Sequence, residues 1–280
     1  MKVALVTDST ADLPEPLRTR LGIRMVPLYV HLGSGVYRDW TEITPTEIFE
    51  KVRRGVAFPT TSQPSPKDFE EVYRQALAEA DHVLSIHISS KLSGTLQSAE
   101  LAAQAFPGRV SLFDSQAASL GIGMMVLRAH ELLQEGKALE EVLAELNRIR
   151  QDHFVRFSVA TLEFLRRGGR IGGAQALLGT LLNIKPVLTL KAGRVEAAGR
   201  ARGEKGAREL ILKDFLAWGK GRGRIRAFFL YSGDSQAVEE LKGMVLASSL
   251  PVEEGLTSEL GSVIASHTGP GTYGFYAYSL

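Results

Sequence analysis

The chain has 280 residues, 44% hydrophobic and 23% charged, enough for a large buried core and, at roughly 150 residues per domain, for two domains. Its 33 basic and 31 acidic side chains leave a net charge of +2, too small to point to nucleic acid or to more than transient membrane contact. The absence of cysteine excludes a disulfide framework, a thiolate metal site and a cysteine nucleophile, and fits a cytoplasmic location.

The chain opens with too short an apolar stretch for a signal peptide, and Val3 to Val6 reads as a buried strand closed by Asp8-Ser9-Thr10. Leu13-Pro14 opens a helix toward Arg20 with Gly22 as its stop, and Ile23 to Leu32 reads as a second strand. Thr44-Pro45-Thr46-Glu47 and Ser65-Pro66-Lys67-Asp68 are both helix starts, the latter leading to Ala80. His82 to Ile88 is a strand, Thr95 to Ala105 a helix, and Val110 to Phe113 a strand ending at Asp114-Ser115. This alternation predicts a parallel sheet. Ligands of such sheets sit at the carboxyl ends of strands, where Asp8-Ser9, Ser89-Ser90 and Asp114-Ser115 fall.

Helices over Leu120 to Gln134 and Leu139 to Arg150 lead to a change of pattern near Asp152, which divides the chain into domains 1–152 and 153–280. Phe157 to Val159 is strand-like, Thr161 to Arg166 a short helix, and Ala174 to Leu182 an apolar helix capped by Asn183. Strands follow at Pro186 to Leu190, Arg194 to Ala198, Arg224 to Ser232 and Val252 to Leu256, with helices at Lys205 to Trp218 and Ser235 to Ala247. The fold class is therefore α/β: an N-terminal three-layer domain on a parallel sheet and a smaller C-terminal α+β domain. The segment Gly219 to Arg224 reads as a solvated connector, since no aromatic residues alternate with its cations as base stacking would need. Ala176 to Leu190, the most apolar stretch, is broken by Asn183, Lys185 and Pro186 and falls short of the ~20 residues that cross a bilayer.

Four polar, glycine-bracketed turns stand out: Thr61 to Ser65, Ser90 to Thr95, Arg167 to Gly172 and His267 to Gly271. Hydroxyls, free backbone N–H groups, an imidazole and arginines suit a carboxylate or phosphate. Gly269 to Gly274 matches the G-x-G-x-x-G string, but no βαβ unit follows it, so the nucleotide reading falls while a glycine-opened helix facing an anion stands. His82 and His87 lie on opposite faces of one strand, and no H-E-x-x-H pair occurs, so no metal site is expected. His267 falls at an expected strand end. Ser93 reads first as a helix N-cap, and a nucleophilic role lacks the G-x-S-x-G elbow. Arginines beside glycines, at Arg166, Arg167 and Arg170 and around the Gly199 loop at Arg200 and Arg202, can grip a phosphate with parallel hydrogen bonds.

Taken together, Asp8 to Leu13, the Thr61 turn, Ser90 to Thr95, Asp114-Ser115, Thr161 to Leu165 with the Arg-Gly-Gly-Arg-Ile-Gly that follows, Ile184-Lys185-Pro186 and His267 to Gly271 resemble the DegV family over nearly the whole chain. The resemblance implies a fatty-acid-binding protein of two α/β domains, with the acyl chain at the domain interface. It assigns the fatty acid carboxylate to Thr61, Ser93 and His267, with backbone donors from the Gly94 turn. It ties Arg170 and Arg202 to acyl phosphate formation by a partner fatty acid kinase, with this chain as carrier and not as catalyst. No cofactor is implied beyond the bound long-chain fatty acid. The chemistry is coherent: two hydroxyls, an imidazole and backbone N–H groups can satisfy a buried carboxylate, and about fifteen methylenes at ~0.8 kcal/mol each supply affinity. The alternative is a serine-dependent acyl hydrolase using Ser93 and His267.

Overall fold

The computed structural model describes residues 1–179 and 183–280. In the first half, β1 (Val3–Asp8), α1 (Glu15–Leu21), β2 (Arg24–Val26), β3 (Tyr29–Leu32), β4 (Gly35–Arg38), α2 (Pro45–Arg53), β5 (Thr60–Ser62), α3 (Pro66–Leu77), β6 (His82–His87), α4 (Thr95–Ala103), β7 (Val110–Asp114), α5 (Leu120–Gln134) and α6 (Leu139–Gln151) follow one another. A parallel sheet runs β2-β1-β6-β7, and a small antiparallel sheet runs β4-β3-β5. The expected strand Ile23 to Leu32 is thus two strands in two sheets. Pro27 lies between them and lacks the N–H a continuous ladder would need, and the next amide, on Leu28, is taken by the Ser9 hydroxyl at 3.0 Å. Both expected helix starts carry capping boxes, at Thr44 with Glu47 and at Ser65 with Asp68, each followed by proline in the first turn.

The second half contains β8 (Phe154–Ser158), α7 (Glu163–Arg167), β9 (Ile184–Lys191), β10 (Arg194–Arg202), α8 (Gly203–Gly219), β11 (Ile225–Tyr231), α9 (Gln236–Leu246), β12 (Val252–Glu259), α10 (Ser262–Thr268) and β13 (Tyr273–Ser279). Its sheet runs β10-β9-β8-β13-β11-β12 and is antiparallel except between β11 and β12. The expected helix from Ala174 is instead a 3-10 segment, Gly172–Leu177, and residues 180–182 of that reading lie outside the described residues. Gly199 is not in a loop but at a bulge of β10, where the pairing register shifts. The Gly219 connector is exposed, as expected, at Lys220, Gly221, Gly223 and Arg224. Arg222 within it forks onto both Asp152 oxygens, at 2.5 and 2.8 Å, and stacks on Trp218.

The layers follow from which faces are apolar. Helices α3 and α4 cover one face of the parallel sheet, α5 lies between that sheet and the six-stranded one, and α8 and α9 cover the far face of the latter. From Leu120 to Val126 every residue of α5 is buried, as expected for a helix with sheet on both sides. Its two early glycines permit that fit, since a Cβ on Gly123 would fall 2.8 Å from the Ala11 carbonyl oxygen and one on Gly121 would strike the Tyr276 ring. The parallel and three-stranded sheets precede Asp152 and the six-stranded sheet follows it, while the largest apolar cluster draws on both sides, from Leu5 to Tyr278. No helix among the described residues is long and apolar enough to cross a membrane.

The carboxyl ends of the parallel strands are held by buried polar contacts. Asp8 accepts from the Thr10 amide with one oxygen, and with the other from the Ile88 amide at 3.0 Å and at the same distance from His87 Nδ1, whose Nε2 meets Ser85. Asp8→Ala would leave these buried groups without partners, at about 1–3 kcal/mol each. We expect a loss of about 3 kcal/mol or more, read as a lower urea midpoint with an unchanged slope; a loss below about 1 kcal/mol would contradict this role.

Candidate functional site

Three of the four polar turns meet around His267, and the fourth packs beside them. His267 is not at a strand end but in the last turn of α10, and Gly269-Pro270-Gly271 opens no helix; it leads into β13. The glycines at 269 and 271 have φ of 78° and 74°, values that favour glycine where the chain leaves α10 so abruptly. His267 Nε2 and Thr61 Oγ1, on the edge strand β5, lie 2.7 Å apart. Gly168 packs flat against the imidazole, so that any Cβ there would collide with His267 Nδ1. Arg170 then crosses to the turn before α4, its Nε donating to the Leu92 carbonyl at 3.0 Å and its Nη1 to the Gly168 carbonyl at 2.7 Å. On the fourth turn, Gln63 lies over Gly94, where a Cβ would meet its side chain, and donates to Ser98 at 3.2 Å.

Gly94, and not Ser93, is the N-cap of α4. Ser93 lies one residue earlier, with its hydroxyl 2.8 Å from Thr95 Oγ1 and accepting from the Thr95 amide at 3.3 Å. Thr61, Ser93, Arg170 and His267 line one cavity whose remaining wall is mainly apolar, including Leu28, Ile88, Leu165, Leu190, Val195, Leu230 and Val263. Arg202 does not line it. It stands exposed at the end of β10 opposite Ile184. Asp8, Ser89 and Asp114 also stay out of the cavity, for Asp8 holds the strand ends, Ser89 donates to the Gly193 carbonyl and Asp114 receives Ser90. Arg166 and Arg167 are spent on Glu163, and Arg167 also stacks on Phe58.

The arrangement holds an anion better than it activates a nucleophile. Burial, reinforced by the Arg170 charge, pushes the His267 imidazole down to about 4, so the ring is neutral at physiological pH. Its Nε2 is engaged by Thr61 and its Nδ1 has no hydrogen-bond partner, so no carboxylate orients it as a general base for Ser93. Among the described residues, no group of three His, Asp or Glu side chains is placed to hold a metal ion.

Sequence reading missed the support beneath α10. The Gly261 amide donates to Asp12 Oδ1 at 2.9 Å, the Val263 amide to Asp39 Oδ1 at 3.2 Å, and the Ser262 hydroxyl to the Ile43 carbonyl at 2.8 Å. Burial lifts the Asp39 carboxyl to about 7 and, with the Asp39 charge adding to it, raises that of Asp12 well above the usual carboxylate range. The signal available was Asp12 in the Asp8 to Leu13 string; for Asp39, in a polar hairpin, there was none.

Two outcomes follow. An unfolded histidine takes its proton near 6.5, so protonation favours unfolding; the His267 contribution to stability is full above about pH 6.5 and is lost as pH falls toward 4. His267→Gln should flatten that part of the stability profile, and a wild-type His267 ring proton titrating near 6.5 by NMR would contradict it. Gly168→Ala should displace the imidazole from Thr61, seen as a changed His267 chemical shift, with a loss of about 1–3 kcal/mol.

A scan of family models matches residues 2–280 to the family described as uncharacterised protein, DegV family. A DegV domain-containing protein of Deinococcus radiodurans is 45% identical over 98% of this chain and 97% of its own length. Among solved structures, a fatty-acid-binding DegV family protein from Thermus thermophilus is 77% identical with a TM-score of 0.98, covering all of both chains. DegV of Bacillus subtilis, described as a fatty acid binding protein, is 30% identical with a TM-score of 0.88, again over all of both chains. With a family model spanning nearly its full length and a fold superposable on these structures, the chain belongs to the DegV family.

Proposed function

We propose that this protein binds a long-chain fatty acid, with the carboxylate held by Thr61, Ser93, the Gly94 turn and His267 and the acyl tail buried between the domains divided near Asp152, and that it presents the acid to a fatty acid kinase. The observation that carries the reading is the pairing of Thr61 with His267 in the wall of a mainly apolar cavity. With the neutral imidazole donating its Nε2–H to Thr61 Oγ1, the Thr61 and Ser93 hydroxyls can donate to a carboxylate without forming a tight ion pair, so its oxygens keep the lone pairs that attack a phosphoryl group. Arg170, held by two carbonyls, keeps its charge beside that position and balances the phosphate that arrives. Arg202 would then act from the surface, on the kinase side. The fatty-acid-binding relative from Thermus thermophilus supports the ligand class.

The test is extraction and mass spectrometry of purified protein, followed by titration of the delipidated protein with octadecanoate. A copurified fatty acid is expected, and Thr61→Ala or Ser93→Ala should each weaken octadecanoate about 10- to 100-fold, the range for a hydrogen bond to a charged group. Arg170→Ala should spare most of the binding and abolish acyl phosphate formation when a fatty acid kinase and ATP are added. A protein that carries no lipid and fails to bind octadecanoate would overturn the reading.

A further inference from the structure

The cavity has a direction. Leu260, Val263, Ile264, His267 and Thr268 line it at i, i+3, i+4, i+7 and i+8, so it runs along one face of α10, with His267 near one end and Leu260 at the other. At the Leu260 end, Gly261 rests on Asp12, and beside Asp12 stands Ser119, which also lines the cavity. Ser119 is 3% exposed, and its hydroxyl stands near enough to the Asp12 carboxyl to pull its pKa down, yet neither that hydroxyl nor Oδ2 of Asp12 has a partner at full hydrogen-bonding geometry. The serine backbone sits at φ 55° and ψ −139°, a conformation natural to glycine and costly for any residue with a Cβ. A glycine would relieve that strain, and the serine that stands there instead brings a hydroxyl to the cavity wall. Burial raises the Asp12 carboxyl well above the usual carboxylate range, and whenever that carboxyl carries its proton on Oδ2 it can donate to Ser119 Oγ, freeing the serine O–H to donate onward.

We propose that Ser119, backed by Asp12, is a second polar subsite that receives a hydroxyl or ketone oxygen partway along the acyl chain, so that the protein accepts mid-chain oxygenated fatty acids. The inference rests on the acyl-chain reading of the cavity. His267 lies six residue steps from Gly261, the N-cap of α10, about 9 Å at the helical rise of about 1.5 Å per residue. A staggered chain of carbon–carbon bonds near 1.5 Å advances about 1.3 Å per carbon, which places the oxygen roughly seven to nine carbons beyond the carboxylate.

The experiment titrates the delipidated full-length protein with octadecanoate and with 10-hydroxyoctadecanoate and compares the ratio of the two dissociation constants. Wild type is expected to bind the hydroxylated acid within about fivefold of the plain one. Ser119→Gly, which suits the backbone and removes the hydroxyl, should raise that ratio at least about tenfold, as should Asp12→Asn to a lesser degree. A wild-type ratio above about fivefold, or a ratio that Ser119→Gly leaves unchanged, overturns the subsite. Ser119→Ala replaces the glycine variant if the latter fails to fold, and the wild-type ratio decides by itself. Failure of wild type to bind octadecanoate would instead overturn the acyl-chain reading.

Discussion

Helix α10 belongs to the second half of the chain, yet both of its ends are fastened to the first. Two buried carboxylates, Asp12 and Asp39, take the amides at its start, and Thr61 meets His267 in its last turn. Seven residues could not form a stable helix alone, because nucleation outweighs so few hydrogen bonds. The acids supply the N-terminal acceptors that the sequence of α10 lacks, there being no side-chain cap of its own. The imidazole is thereby positioned by residues far from it in sequence, and the two halves are joined at the wall of the cavity.

The electrostatics of the site are arranged by what is left unpaired. Arg166 and Arg167 are neutralised by Glu163 within one short helix, whereas Arg170, three residues on, is held by backbone carbonyls. A carbonyl orients a guanidinium without cancelling its charge, so the potential beside His267 stays positive, and that potential helps to keep the imidazole unprotonated. The site thus combines one full positive charge with several neutral donors, the makings of a loose rather than a tight anion site.

Much of this was legible in the sequence because it rests on local rules. Capping boxes at Thr44 and Ser65, the buried run of α5, and the alternation of β1, β6 and β7 with α3 and α4 follow from patterns a few residues long. The polar turns were legible as one anion site from their shared chemistry, and a family resemblance supplied their individual roles. What escaped was set by tertiary contact. The break at Pro27 depends on Ser9 capturing the Leu28 amide. The helical state of Ser262–Thr268, in place of a strand end, depends on acids over two hundred residues away. Ser119 was hidden for a different reason: composition carries no trace of a positive φ on a serine.

Strand β13 fills the centre of the six-stranded sheet, antiparallel to β8 on one side and to β11 on the other. The parallel sheet is complete once β7 has emerged from the ribosome, but β8 and β11 cannot be bridged until Tyr273–Ser279 has been synthesised. Such distant pairing is slow to form, and Tyr276 reaches the cavity wall only with it. Translation can therefore assemble the parallel sheet first, while the wall of the cavity is completed only when β13 inserts between β8 and β11.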